Sequence, residues 1–182
     1  MDYLPLFIDL RGRRVVVVGG GPVAERKIEL LLATGPRLTV IAPTLTARLA
    51  ARREAGELEH HARGFAAPDL DGARLAIAAT DDAAVNRAVA AAAEARNIIA
   101  NVVDDLELSS AILPAIVDRS PLIVAISTQG TAPVLARLVR AQIESVLDES
   151  LGRLARFCAA ARGQIKARVP GLAVSIAAIA EA

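Results

Sequence analysis

Four successive valines, Val15, Val16, Val17 and Val18, run directly into Gly19-Gly20-Gly21-Pro22-Val23-Ala24, and this junction constrains the fold more than any other segment. An unbroken β-branched run suits a strand covered on both faces, as strands are in a parallel sheet. Gly19, Gly21 and Ala24 fit the G-x-G-x-x-G/A spacing of a dinucleotide-binding turn. The first glycine permits a tight turn, and the second admits a pyrophosphate close to the backbone. The third small residue lets a helix starting at Pro22 and Val23 pack near the strand. The free N–H groups and positive dipole end of that helix face the phosphates. The same spacing also suits a tight strand-to-helix turn that holds no ligand.

Strand and helix signals alternate through the first hundred residues, which implies parallel βαβ units in a Rossmann-type doubly wound sheet. After the valine strand, the pattern predicts a helix over 22–33, closed by Gly35. A strand follows at 38–41, stopped by Ala42-Pro43, then a short helix over 46–55 and an edge strand at 58–62. His60 and His61 are adjacent on that edge strand, so they point to opposite faces and make a poor metal pair. Residues 75–79 form a further buried strand ending in Thr80-Asp81-Asp82, with a helix over 83–96 and Asn97 as its left-handed cap. The fifth strand, 98–103, ends at Asp104-Asp105.

The pattern then changes. Two apolar strands, 110–117 and 122–127, are joined by Asp118-Arg119-Ser120-Pro121 as a hairpin. Thr131-Ala132-Pro133 reads as an N-cap followed by proline in the first turn. The helix behind it carries an apolar stripe of Val134, Leu135, Leu138, Val139, Ile143, Val146 and Leu147, and a second helix covers 150–167. A hairpin and two amphipathic helices are too small to bury themselves, so residues 110–150 read as a dimerisation region. Residues 1–109 then form the NAD-binding domain, and 151–182 a helical extension with an alanine-rich tail.

Composition narrows the function classes. Apolar residues make up 54% of the 182, with three Phe, one Tyr and no Trp, so the core is aliphatic and general disorder is excluded. The net charge is +1, yet positions 119–168 hold eight Lys/Arg against three Asp/Glu, a local excess suited to an anionic ligand or to solvated helix faces. These cations are dispersed and lack an aromatic stacking set, which disfavours nucleic acid. The single cysteine, Cys158, excludes a disulfide within the chain and reads as a buried, inert thiol. There is neither a signal-peptide pattern nor a membrane-length apolar run, so the chain reads as cytoplasmic.

Candidate chemistry lies at the carboxyl ends of the strands. The acidic residue that usually binds the adenosine ribose is replaced by Ala42-Pro43-Thr44. With no arginine there either, Pro43 and its neighbours favour NAD over NADP. Asp104 ends a buried strand at the crevice and suits a proton acceptor, although the same pattern also suits a turn cap. Thr80 and Asp81 sit where the nicotinamide half would lie, and helix capping accounts for Asp81 or Asp82 equally well. Ser127-Thr128-Gln129-Gly130-Thr131 is a polar loop before a helix, suited to an anionic group.

Several segments, taken in order, resemble the precorrin-2 dehydrogenase/sirohydrochlorin ferrochelatase module of siroheme synthase. They are Met1-Asp2-Tyr3-Leu4-Pro5-Leu6-Phe7, the run from Val18 through Glu25-Arg26-Lys27, Ala78-Ala79-Thr80-Asp81-Asp82, Asn101-Val102-Val103-Asp104, Asp118-Arg119-Ser120-Pro121-Leu122 and Thr131-Ala132-Pro133-Val134-Leu135-Ala136-Arg137. The resemblance covers roughly residues 1–160. It implies NAD-dependent oxidation of precorrin-2, a polycarboxylate tetrapyrrole, to sirohydrochlorin. Insertion of ferrous iron, a substrate rather than a resident metal, follows in bifunctional members and gives siroheme. It also implies a homodimer, Asp104 as the catalytic aspartate and the loop of Ser127, Thr128, Gly130 and Thr131 against the substrate. The family commonly reads Ser-Ser-Gly-Gly-Thr in that loop, whereas Gln129 here adds bulk. Long members continue into a methyltransferase domain, so the chain reads as a stand-alone enzyme or an amino-terminal portion. The contrasting expectation is a non-catalytic NAD-binding regulatory module, which needs the glycine turn but not the segment from Asn101 to Arg137.

Overall fold

The computed structural model describes residues 2–168, with side chains described as far as residue 162. The expected tail beyond them lies outside the described residues. The chain divides into two compact units, with the boundary between Leu113 and Pro114.

In the first unit, β1 (Arg14–Val18), β2 (Arg37–Ile41), β3 (Glu59–His61), β4 (Leu75–Ala78) and β5 (Ile99–Val102) form one sheet in the order β3-β2-β1-β4-β5. Every pairing is parallel, and Val18 lies in register with Ile41 on one side and Ala78 on the other. Helices α1 (Pro22–Leu32), α2 (Ala47–Glu54) and α3 (Ala83–Glu94) make the crossovers, and a 3₁₀ turn at Ala67–Leu70 precedes β4. The valine run is buried on both faces as its composition requires. Val15 and Val17 pack with Ile28 and Leu31 of α1, whereas Val16 and Val18 pack with Val89 and Ala93 of α3. Each valine contributes roughly 1.5–3 kcal/mol by leaving water.

Side chains fix the helix ends. The Thr46 hydroxyl accepts from Leu49 N at 3.2 Å and donates to Glu25 Oε2 at 2.5 Å, tying the start of α2 to α1. Asp82 caps α3 by accepting from Ala84 N and Val85 N. Asn97 adopts φ 54° after α3, the left-handed conformation expected of it. Gly35 likewise turns at φ 69° after α1.

In the second unit, β6 (Ala115–Arg119) pairs antiparallel with β7 (Leu122–Ile126), and α4 (Pro133–Val146) and α5 (Glu149–Arg168) follow. Ser120 and Pro121, joined by a cis peptide, make the turn. Arg119 donates to Leu147 O at 2.7 Å and Arg140 to Ile116 O at 2.8 Å, pinning α4 to the hairpin. Gly152 lets α5 approach the turn, because a Cβ there would overlap the Arg119 carbonyl oxygen. No helix among the described residues is long and apolar enough to cross a membrane.

Three local expectations are corrected. The first hairpin strand spans Ala115–Arg119 rather than 110–117, because the residues before it do other work. Ser110 Oγ accepts from Ala100 N at 2.8 Å and Ser109 Oγ from Val102 N at 2.9 Å, so serine hydroxyls close the β5 edge. The N-cap of α4 is Ala132 rather than Thr131, with no side-chain cap, since Pro133 holds the first helical position. Cys158 is half-buried on α5 rather than buried.

Candidate active site

The sheet order places a topological switch between β1 and β4, where α1 and α3 leave for opposite faces. Ligands in such sheets bind in the crevice at the carboxyl ends of the flanking strands. The glycine turn follows β1 there, and Thr80 and Asp81 follow β4.

The three glycines of the turn meet different constraints. Gly19 has φ 123° and donates to Ile41 O at 2.9 Å; a Cβ on it would run into the Ala79 backbone. Gly20, which the G-x-G spacing passes over, is confined as tightly. A Cβ there would overlap the Thr44 carbonyl oxygen and lie 2.9 Å from the Ala42 Cβ. Its own carbonyl accepts from Thr46 N at 3.0 Å, so the turn is sewn to the loop after β2. Gly21 is the open position: it is extended, and a Cβ would meet nothing within 4 Å. As the N-cap of α1 it supplies no side-chain hydrogen bond, and Pro22 occupies the first turn. Ala24 is fully buried against the sheet, bringing α1 close to β1. The only sequence trace of the Gly20 constraint is the uninterrupted glycine triplet. Gly20→Ala is expected to lower stability by about 1–3 kcal/mol, the usual cost of overpacking, visible as a lower Tm.

An uncapped helix start beneath an open glycine is the arrangement a dinucleotide pyrophosphate requires, and the residues present fit NAD. Pro43 and Thr44 are exposed after β2, without a side chain that would obstruct an adenosine. Thr80 Oγ1 donates to Asn86 Oδ1 at 2.8 Å, whereas Asp81 makes no side-chain hydrogen bond or ion pair within the described chain. Capping belongs to Asp82, which leaves Asp81 exposed on the rim.

Asp104 follows β5 at φ 62°, a left-handed conformation that Asp and Asn tolerate best among non-glycine residues. Its carboxylate is exposed and makes no side-chain hydrogen bond or ion pair within the described chain. Asp105 has a structural task instead, accepting from Leu108 N at 3.0 Å. On the α1 face of β5, Asn101 is only 7% exposed. Its Nδ2 donates to Ala111 O at 3.0 Å, and its buried Oδ1 has no partner. Lys27, half-buried on α1, has its ammonium pushed below the usual lysine range by burial, while the Asp104 charge opposes that shift. Sequence alone does not mark Asn101 or Lys27 as a site residue, because neither signals its burial in a linear pattern.

The polar loop belongs to the second unit. Thr128 O accepts from Thr131 Oγ1 at 2.6 Å, Ser127 Oγ accepts from Gln129 N at 3.0 Å, and Thr128 Oγ1 accepts from Ala132 N at 3.2 Å. Gln129 at φ 54° and Gly130 at φ 79° turn the chain. His60 Nε2 lies 2.9 Å from Ala42 O and His61 Nε2 2.8 Å from Glu59 Oε1, so each ring faces its own partner. No group of three or more metal-ligating side chains occurs among the described residues.

Comparison with known proteins follows the same division. A family described as putative NAD(P)-binding matches residues 6–115, and one described as sirohaem biosynthesis protein central matches residues 119–145. Siroheme synthase of Chromobacterium violaceum is 56% identical over 170 residues, covering 93% of this chain and 36% of the relative. Siroheme synthase of Methylobacillus flagellatus is 52% identical over 168 residues, covering 92% of this chain and 36% of the relative. The chain therefore spans little more than a third of the curated relatives it matches. The solved structure of SirC, precorrin-2 dehydrogenase, superposes with a TM-score of 0.76 at 31% identity, covering 98% of this chain and 86% of that one.

Proposed function

We infer that this chain, which belongs to the family of the siroheme synthase NAD-binding module and the precorrin-2 dehydrogenase SirC, oxidises precorrin-2 to sirohydrochlorin. The observation that carries the reading is the pairing of an open, uncapped glycine turn with an unpartnered carboxylate, Asp104, at the carboxyl ends of one sheet. Removing two electrons from a saturated carbon centre releases a hydride and a proton. Bound NAD supplies the hydride acceptor. Gly19, Gly21, Pro22, Val23 and Ala24 shape its pyrophosphate site, and Pro43, Thr80 and Asp81 border its two ends. Asp104 takes the proton, which a carboxylate free of internal partners is placed to do.

The loop of Ser127, Thr128, Gly130 and Thr131 is assigned to the carboxylates of the tetrapyrrole, with the Ser127 and Thr128 hydroxyls as donors and the Thr131 hydroxyl bracing the loop through Thr128 O. Ferrous iron insertion extends the same logic, because metallation displaces two pyrrole N–H protons and Asp104 is again a suitable acceptor. A homodimer accounts for the exposed apolar side chains on α4 and α5, among them Leu135, Leu138, Val146 and Phe157.

Anaerobic incubation with precorrin-2 and NAD is expected to produce NADH absorbance together with a sirohydrochlorin spectrum. Added ferrous iron is then expected to give siroheme faster than an enzyme-free control. NAD binding without NADH formation would replace this reading with a regulatory NAD-binding module.

A further inference from the structure

The carboxyl ends of β4 and β5 carry Asp81, Asp82, Asp104 and Asp105, and Asp81 and Asp104 make no side-chain hydrogen bond or ion pair within the described chain. A substrate bearing several carboxylates approaches this rim against like charge. A cation of the protein on that side would offset this repulsion.

Helix α1 buries Ala24, Ile28 and Leu31 against the sheet. Glu25 and Glu29 emerge on one flank and are engaged by Thr46, Arg48 and Arg52 on the α2 side. At 100° per residue, Lys27 lies on the opposite flank, facing away from α2 and toward the β4–β5 side. Side-chain alternation puts Asn101 on that same face, because its neighbours Ile99 and Val103 pack with the α1 cluster. Lys27 is half-buried, and its ammonium makes no hydrogen bond or ion pair within the described chain, so its three N–H donors are available to a ligand. On the same face of the sheet, Asn101 Oδ1 is a buried acceptor without a donor among the described residues. The charged groups felt at Lys27 are Asp104 across from α1 and Arg26 on α1 itself. A lysine without an internal partner in the described chain, on the flank of α1 turned toward β5 and within electrostatic reach of Asp104, is suited to an anionic group of a ligand.

We propose that Lys27 is a further substrate-binding residue, its ammonium taking one carboxylate of the tetrapyrrole beside Asp104. The inference rests on the precorrin-2 reading above. Lys27 offsets the repulsion between the substrate and the aspartate rim, and so acts on affinity more than on the chemical step.

The test compares wild type with Lys27→Met and Lys27→Arg in steady-state oxidation of precorrin-2 at saturating NAD, with NAD affinity measured separately by calorimetry. Lys27→Met is expected to raise KM about tenfold, the lower end for one lost charge-assisted hydrogen bond. The kcat and the NAD affinity stay near wild type, and Lys27→Arg recovers most of the KM because it keeps the charge. A tenfold fall in kcat at unchanged KM, or an arginine variant as impaired as methionine, would overturn the proposal. So would loss of NAD affinity together with KM, which would mark Lys27 as structural. Should wild type itself fail to oxidise precorrin-2, the proposed function falls and this inference falls with it. Turnover with a KM indifferent to Lys27 removes the inference alone.

Discussion

Replacing Asp104 is expected to cut precorrin-2 oxidation at least a hundredfold while leaving NAD affinity unchanged, the range seen when a positioned proton acceptor is removed. The carboxylate makes no hydrogen bond or ion pair within the described chain, so its loss breaks none. The backbone decides which variant is cleanest. At φ 62°, alanine adds a steric cost that asparagine largely avoids, so Asp104→Asn separates chemistry from strain better than Asp104→Ala. Both variants are expected to stay folded, asparagine with a Tm close to wild type and alanine slightly below it. Steady-state rates of NADH formation with precorrin-2 check this directly. Unchanged turnover in the asparagine variant would remove Asp104 from the proton-accepting role.

The second large effect is at Gly21. Gly21→Asp is expected to abolish measurable NAD binding without unfolding the protein. Open space surrounds the position, and an aspartate there is a favourable N-cap for α1, so stability is expected to hold or rise slightly. The gain comes from occupying the same N–H groups that a pyrophosphate would use, and it adds a negative charge against the phosphates. The contrast with Gly20→Ala is informative. One change spares the fold and removes the ligand, whereas the other strains the turn itself. Calorimetric titration with NAD, alongside thermal unfolding, separates the two. Retained affinity in Gly21→Asp would overturn the cofactor placement.

Much of the first unit was legible because its signals are local. The valine run, the alternation of apolar strands with helices, and the caps at Asp82 and Asn97 each rest on a few adjacent residues. The α/β doubly wound architecture follows from them, and the parallel five-stranded sheet agrees. What was not legible depends on partners distant in sequence. Ser110 reads as the start of a strand until its hydroxyl and that of Ser109 are seen closing the edge of β5. Gly20 is conspicuous only as the middle of a triplet, since its constraint comes from Thr44 and Ala42 across the turn. Asn101 reads as one polar residue in a strand, and its orphaned acceptor emerges only when Ala111 has claimed the amide nitrogen. Thr131 was displaced from the cap by one residue, because Pro133 fixes where α4 can begin. For the proposed site, the glycine turn and Asp104 stood out in sequence, while Lys27 and Asn101 required the packed face of α1.

The measurement that bears most directly on the central claim is a single anaerobic turnover with enzyme in excess over precorrin-2, following NADH and sirohydrochlorin together. One NADH is expected for each sirohydrochlorin formed, at a rate that collapses in Asp104→Asn, with no product formed without NAD. Sirohydrochlorin appearing without NADH, or NAD bound firmly with neither product formed, would contradict that claim.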